Sequence, residues 1–204
     1  MGGKQVKNFY LALVAILLAT GLSFAQTSVG GRAALNFGTV YGDDAKNTPW
    51  GIGFAAGVSA KIGVNKTFAV VPDIDINLRR CSGEDASWTV WAIEIPLMLR
   101  AYPTRQVFVE AGPMASFLLS GKQTYENEMD PNIDISADFG DHLEVVEFGL
   151  SFGLGTAIRP NLDLNFRINL GLTSEIEDIK MIPETIEPDL KNFQMQFGAT
   201  YWFM

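Results

Sequence analysis

Residues 193–203 read Phe-Gln-Met-Gln-Phe-Gly-Ala-Thr-Tyr-Trp-Phe, and this stretch decides how the rest of the chain is understood. Side chains of an extended strand alternate between its two faces. Phe193, Met195, Phe197, Ala199, Tyr201 and Phe203 therefore share one face, with Gln194, Gln196, Gly198, Thr200 and Trp202 on the other. The segment carries no charge and has an aromatic tip. A water-soluble protein gains little from such a strand, whereas a sheet that closes on itself inside a membrane needs one.

Seven earlier stretches repeat the pattern, at residues 28–37, 51–63, 67–80, 88–102, 107–120, 145–158 and 162–173. The cleanest sets Leu162, Leu164, Phe166, Ile168, Leu170 and Leu172 against Asp163, Asn165, Arg167, Asn169 and Gly171. One such segment is a weak signal, but eight are a strong one. The connections after the second, fourth and sixth are minimal turns at 64–66, 103–106 and 159–161. Those after the first, third, fifth and seventh are longer and polar, at 38–50, 81–87, 121–144 and 174–190. Short and long connections in strict alternation predict an all-β, eight-stranded antiparallel up-and-down transmembrane β-barrel, with short turns on the periplasmic side and long loops outside. Pro72, Pro96 and Pro113 each remove a ladder donor, so bulges or local breaks are expected there.

Residues 1–25 have the composition of a cleaved secretory signal peptide. Lys4 and Lys7 precede the apolar run 9–19, and Ser-Phe-Ala precedes Gln26. That apolar run is shorter than the roughly 20 residues a helical span requires. Residues 26–204 then form one barrel domain. Without Lys4 and Lys7 the net charge moves from -8 to -10, with 13 basic residues against 23 acidic ones. This argues against nucleic acid as a partner. The single cysteine, Cys81, excludes an internal disulfide.

A soluble lipocalin-like barrel would show the same alternation with its apolar face turned inward. Three features favour the membrane. The polar face is rich in small residues (Gly53, Ala55, Gly57; Gly149, Ser151, Gly153, Gly155), which suit a crowded lumen better than a water-facing exterior. The apolar face carries no mid-strand charge, and Arg or Lys there would cost about 2–4 kcal/mol at the bilayer midplane. Trp50, Trp88, Trp91, Phe37, Phe68, Phe108, Tyr102, Tyr201 and Phe203 lie near strand ends, as an aromatic girdle would. The lumen then holds Arg32, Lys61, Arg79, Arg100 and Arg167 with Asp73, Asp75, Glu94, Glu110, Glu147 and Asp163. Isolated ions in a narrow interior are costly, so these are expected to pair into a salt-bridged plug. A small selective pore is the alternative.

Residues 93–100 (Ile-Glu-Ile-Pro-Leu-Met-Leu-Arg), 109–113 (Val-Glu-Ala-Gly-Pro) and 117–122 (Phe-Leu-Leu-Ser-Gly-Lys) are similar to the core of a porin-like outer-membrane β-barrel family that includes PorT-type proteins. The likeness extends to 73–78, 148–155 and 171–173. It implies a small eight-stranded barrel in the outer membrane of a Gram-negative-type bacterium, surrounded by outer-membrane lipid. It also implies that Phe193, Phe197, Tyr201 and Phe203 serve as the signal read by the barrel-assembly machinery. Met204 after that aromatic end departs from the family pattern.

Little else points to chemistry. Residues 130–141 place oxygen-bearing side chains at alternate positions, but Ile135 stands where a calcium loop needs glycine, and Asp141 where it needs glutamate. A hairpin extending past the membrane is the simpler reading. The single histidine, His142, has no serine at close spacing, so neither catalytic residues nor a bound cofactor or metal is expected. The expected function is a non-catalytic barrel with acidic extracellular loops, monomeric and in contact with other envelope proteins. The alternatives are a low-conductance porin for small solutes or an accessory barrel in secretion or envelope assembly.

Overall fold

The computed structural model describes residues 27–42, 50–82, 86–125, 135–138, 146–173, 179–180, 185–186 and 191–203. Eight long strands build the barrel: β1 (Thr27–Tyr41), β2 (Gly51–Gly63), β3 (Phe68–Ser82), β4 (Ala86–Ala101), β5 (Val107–Tyr125), β7 (Val146–Arg159), β8 (Leu162–Gly171) and β11 (Lys191–Phe203). Three short ones, β6 (Ile135–Asp138), β9 (Ile179–Lys180) and β10 (Thr185–Ile186), fall within the longer connections. Each long strand pairs antiparallel with its neighbours, and the β4–β5 pairing completes a ring in the order β1, β2, β3, β4, β5, β7, β8, β11. The ring joins at β1 and β11, in register from Val29 opposite Phe203 to Tyr41 opposite Lys191. Closure leaves no open sheet edge, so every backbone group of the wall can be satisfied without water.

Period two dictates the faces, and they are inverted relative to a soluble protein. Leu35 and Phe197 are 57% and 55% exposed, whereas Arg100 and Arg167 are each 1% exposed. A belt of Phe54, Leu35, Phe197 and Phe166 crosses four neighbouring strands at one level. Within it, the Phe166 and Phe197 rings lie 4.8 Å apart. Outward-facing apolar residues and buried charges exclude a lipocalin-like arrangement. A transmembrane strand tilted at about 45° needs about 9–11 residues, and every wall strand meets or exceeds that, from 10 residues in β8 to 19 in β5.

Several strands run further than the alternation suggests: β1 continues to Tyr41, β4 begins at Ala86, and β5 continues to Tyr125. The upper end of β5 pairs with β6, Lys122 opposite Asp138 through Tyr125 opposite Ile135. This gives the third long connection a paired, hairpin-like stretch. The prolines act as expected. The β2–β3 ladder skips the Pro72 position, β3–β4 skips Pro96, and β4–β5 skips Pro113, each without a change of register. The register shifts lie elsewhere, between Trp91 and Ala92 and between Ala157 and Arg159.

Two aromatics do not join the girdle. Phe108 has the parity of Glu110 and is fully buried in the lumen, and Tyr102 packs on it with ring centroids 6.0 Å apart. Trp50, Phe68, Trp91, Tyr201 and Phe203 face outward as expected, while the side chain of Trp88 lies outside the described residues. Residues 1–25, expected to be a signal peptide, lie outside them too, with His142, most of the 130–141 stretch, Met204 and the side chain of Cys81.

Candidate functional site

Among the described residues the lumen gathers a dense set of buried charges, and glycine explains how those charges meet. Arg32 on β1, Gly57 on β2 and Asp75 on β3 occupy one row across three strands. The central residue has no side chain, so Arg32 Nη1 reaches over it to Asp75 Oδ2 at 2.6 Å. A Cβ on Gly57 would stand 2.5 Å from Asp75 Oδ1. The same device recurs across the ring. Glu110 on β5, Gly153 on β7 and Arg167 on β8 form a row, and Arg167 Nε lies 2.6 Å from Glu110 Oε1 above the glycine. Small residues of the lumenal face thus set which charges can touch.

From these rows a continuous network extends along the lumen. Near the short turns, Arg100 Nη1 contacts Asp163 Oδ2 at 2.7 Å, and its Nε donates to Glu110 Oε2 at 2.9 Å. Arg167 joins Glu110 to Asp73 Oδ2, also at 2.6 Å. Toward the long loops, Arg79 bridges Glu94 at 2.7 Å and Glu147 at 2.8 Å, and donates to Ser116 Oγ at 3.0 Å. Gln196 couples Arg32 to this upper group by accepting from Arg32 Nη2 at 2.9 Å and donating to Glu94 Oε2 at 3.4 Å and Gln194 Oε1 at 2.8 Å. Asn77 and Asn169 donate to Gln194 Oε1 at 3.2 and 3.3 Å, and Asn36 donates to Asn77 Oδ1.

Ten of the eleven charged residues expected in the lumen are brought into ion pairs. Lys61 departs from the set: it is half-buried, and its Nζ lies 4.4 Å from the Trp202 ring centroid. Trp202 itself faces inward at 2% exposure and donates from Nε1 to Asp163 Oδ2 at 2.9 Å. Arg100 stacks on Phe108, 3.7 Å from its ring centroid. Tyr102, Phe108, Arg100 and Trp202 form a layer at the short-turn end of the lumen. Sequence reasoning gave no role to Gln194, Gln196 or Trp202. Their inward phase in β11 was visible, but polar amides without charge gave no signal of bridging two ion-pair groups.

Among the described residues a cavity of about 20 Å³ lies between Asn36, Arg79 and Gln194, room for about one water molecule. Elsewhere in the lumen some carboxylate oxygens keep no protein partner, including Asp73 Oδ1, Asp75 Oδ1 and Glu147 Oε1. Six buried carboxylates face four buried arginines, so acids are in excess. Among the described residues no cluster of three or more metal-ligating side chains occurs. The four aromatics expected to signal assembly, Phe193, Phe197, Tyr201 and Phe203, all lie on the outer face of β11.

The profile of the outer membrane protein β-barrel domain matches residues 24–177, from before β1 to beyond β8. The chain belongs to this family. Membership places it among the barrels of the Gram-negative outer membrane, in agreement with the inverted faces. Among solved structures it is similar to Neisserial surface protein A, with a TM-score of 0.53 and 13% identity over 87% of this chain and 99% of that one. It is also similar to Ail, the attachment invasion locus protein of Yersinia pestis, with a TM-score of 0.51 and 14% identity over the same shares. At such identities the likeness is one of fold. No curated protein matches the chain.

Proposed function

We propose that this family member is a non-catalytic outer-membrane barrel whose lumen is plugged by its own ion pairs, with short turns in the periplasm and acidic long loops outside. The observation that carries the reading is the network itself, in which every paired side chain is 8% exposed or less. An interior of eight strands is just wide enough for side chains to fill. Here the filling groups hold one another from β1 around to β11. A wall of this kind does its work at its surfaces: the lipid-facing belt anchors it, and the loops offer carboxylates to the exterior, 121–144 and 174–190 being the acidic ones. The reading includes removal of residues 1–25 on export, a monomer, and engagement of the Phe193–Phe203 face by the assembly machinery.

Purified protein in planar bilayers tests the plug. The expected result is no steady conductance at neutral pH. Reproducible open-channel steps would replace it by the low-conductance porin. The narrower PorT-type kinship rests on residues 93–100, 109–113 and 117–122, and an accessory role in secretion follows from it. Deletion with comparison of the secreted proteins tests that role: an unchanged secretome with altered envelope permeability would reject it.

A further inference from the structure

The short-turn mouth of the barrel has a character opposite to the rest of the chain. A cavity of about 790 Å³ opens there, lined by Lys61, Lys66 and Arg105 together with Asn65, Thr104 and Tyr102. Its volume falls within the range of small-ligand pockets. The protein as a whole carries a net charge of -8. At this end the described residues supply Lys61, Lys66, Arg105 and Arg159, and none of the four makes an ion pair among those residues. The one lining carboxylate, Asp163, is already held by Arg100 and by the Trp202 indole N–H.

Two further side-chain acceptors of the rim are also occupied. Asn65 Oδ1 accepts from the backbone N–H groups of Thr67 and Phe68 at 2.8 and 2.9 Å. Thr104 Oγ1 accepts from those of Gln106 and Val107 at 3.3 and 2.9 Å. These bonds shape the two turns, and they turn the acceptors toward the backbone. What the lining offers a ligand is a set of charged donors, two ammonium groups and a guanidinium, from two turns and one strand, beside the Tyr102 ring. Three cationic donors around one cavity suit an anion with several oxygens, and the guanidinium fork matches phosphate geometry.

We propose that this mouth binds a phosphate-type anion, held by Lys61, Lys66 and Arg105. Two sources offer that chemistry at this level of the barrel, a soluble phosphate ester or the headgroup of a phospholipid in the adjoining leaflet. The site lies below the aromatic layer, so it is independent of whether the lumen conducts. Conductance measurements and the following test can therefore fail separately.

Calorimetry on the folded protein in an uncharged maltoside detergent measures inorganic phosphate and glycerol 3-phosphate. Native mass spectrometry counts phosphatidylglycerol molecules retained from mixed micelles. The double variant Lys66→Ala/Arg105→Ala changes exposed turn residues only, and Arg159→Ala removes a cation of the same end that does not line the cavity. Loss of the two lining donors is expected to weaken binding at least about tenfold, with Arg159→Ala within about twofold of the parent. Binding of the soluble esters assigns the site to free phosphate. Retention of the lipid alone, abolished in the double variant, assigns it to the headgroup. Binding of neither overturns the proposal, and so does an equal loss in Arg159→Ala, which would reduce the effect to diffuse surface charge.

Discussion

Replacing Arg167 by Met separates a dry plug from a hydrated channel. Arg167 is 1% exposed and connects Asp73 to Glu110 through two contacts of 2.6 Å. Glu110 would keep Arg100 as a partner. Asp73 would keep none, since its Oδ2 is held by Arg167 alone and its Oδ1 is already without a protein partner. Removing one member of a buried pair typically costs about 3–5 kcal/mol because a charge is stranded. With an m-value of about 2 kcal/mol/M, a loss of about 4 kcal/mol lowers the urea midpoint by roughly 2 M. The assay is urea unfolding of barrel refolded into lipid vesicles, read by tryptophan fluorescence and by heat-dependent gel mobility. The double variant Arg167→Met/Asp73→Asn removes the stranded charge as well, and should recover more than half of the loss. A solvated lumen behaves like a protein surface, where an ion pair is worth about 0–1 kcal/mol. A loss below about 1 kcal/mol, with no recovery in the double variant, would refute the dry network.

Gly153→Ala should destabilise by about 1–3 kcal/mol, because its Cβ would stand 2.9 Å from Arg167 Cγ and 3.1 Å from Glu110 Cγ. Gly31→Ala is the control: its nearest neighbour is Phe203 Cζ at 3.6 Å, and its midpoint should move little. Leu35→Arg, on the lipid face at mid-strand, should cost about 2–4 kcal/mol in the same unfolding assay, and an unchanged midpoint would contradict the assignment of that face. Phe203→Asp, at the short-turn end of β11, should reduce the amount of heat-modifiable barrel recovered in the outer-membrane fraction. Wild-type recovery would remove Phe203 from the assembly signal.

Residues 193–203 were sufficient to read a strand with an apolar and a polar face, and the same reading held for seven more segments. Face assignment is a local property: the Cβ alternates at every residue, and the lipid tolerates only one kind of face. For that reason the sequence determined the strand number, the up-and-down order and the inward location of Arg32, Asp73, Asp75 and the other charges. It placed Phe108 wrongly because nearness to a strand end was weighed above parity with Glu110. Which charges meet was decided only by the closed ring. Arg167 and Asp73 are 94 residues apart and lie on strands that are not neighbours. Their contact depends on the tilt and stagger that closure imposes, which no single strand encodes. The glycines gained their meaning in the same way. Gly57 and Gly153 look like small lumenal residues until the register sets each between an arginine and a carboxylate. The basic mouth is also tertiary in origin, since Lys61, Lys66 and Arg105 come from separate strands and turns that share a cavity only once the barrel is shut.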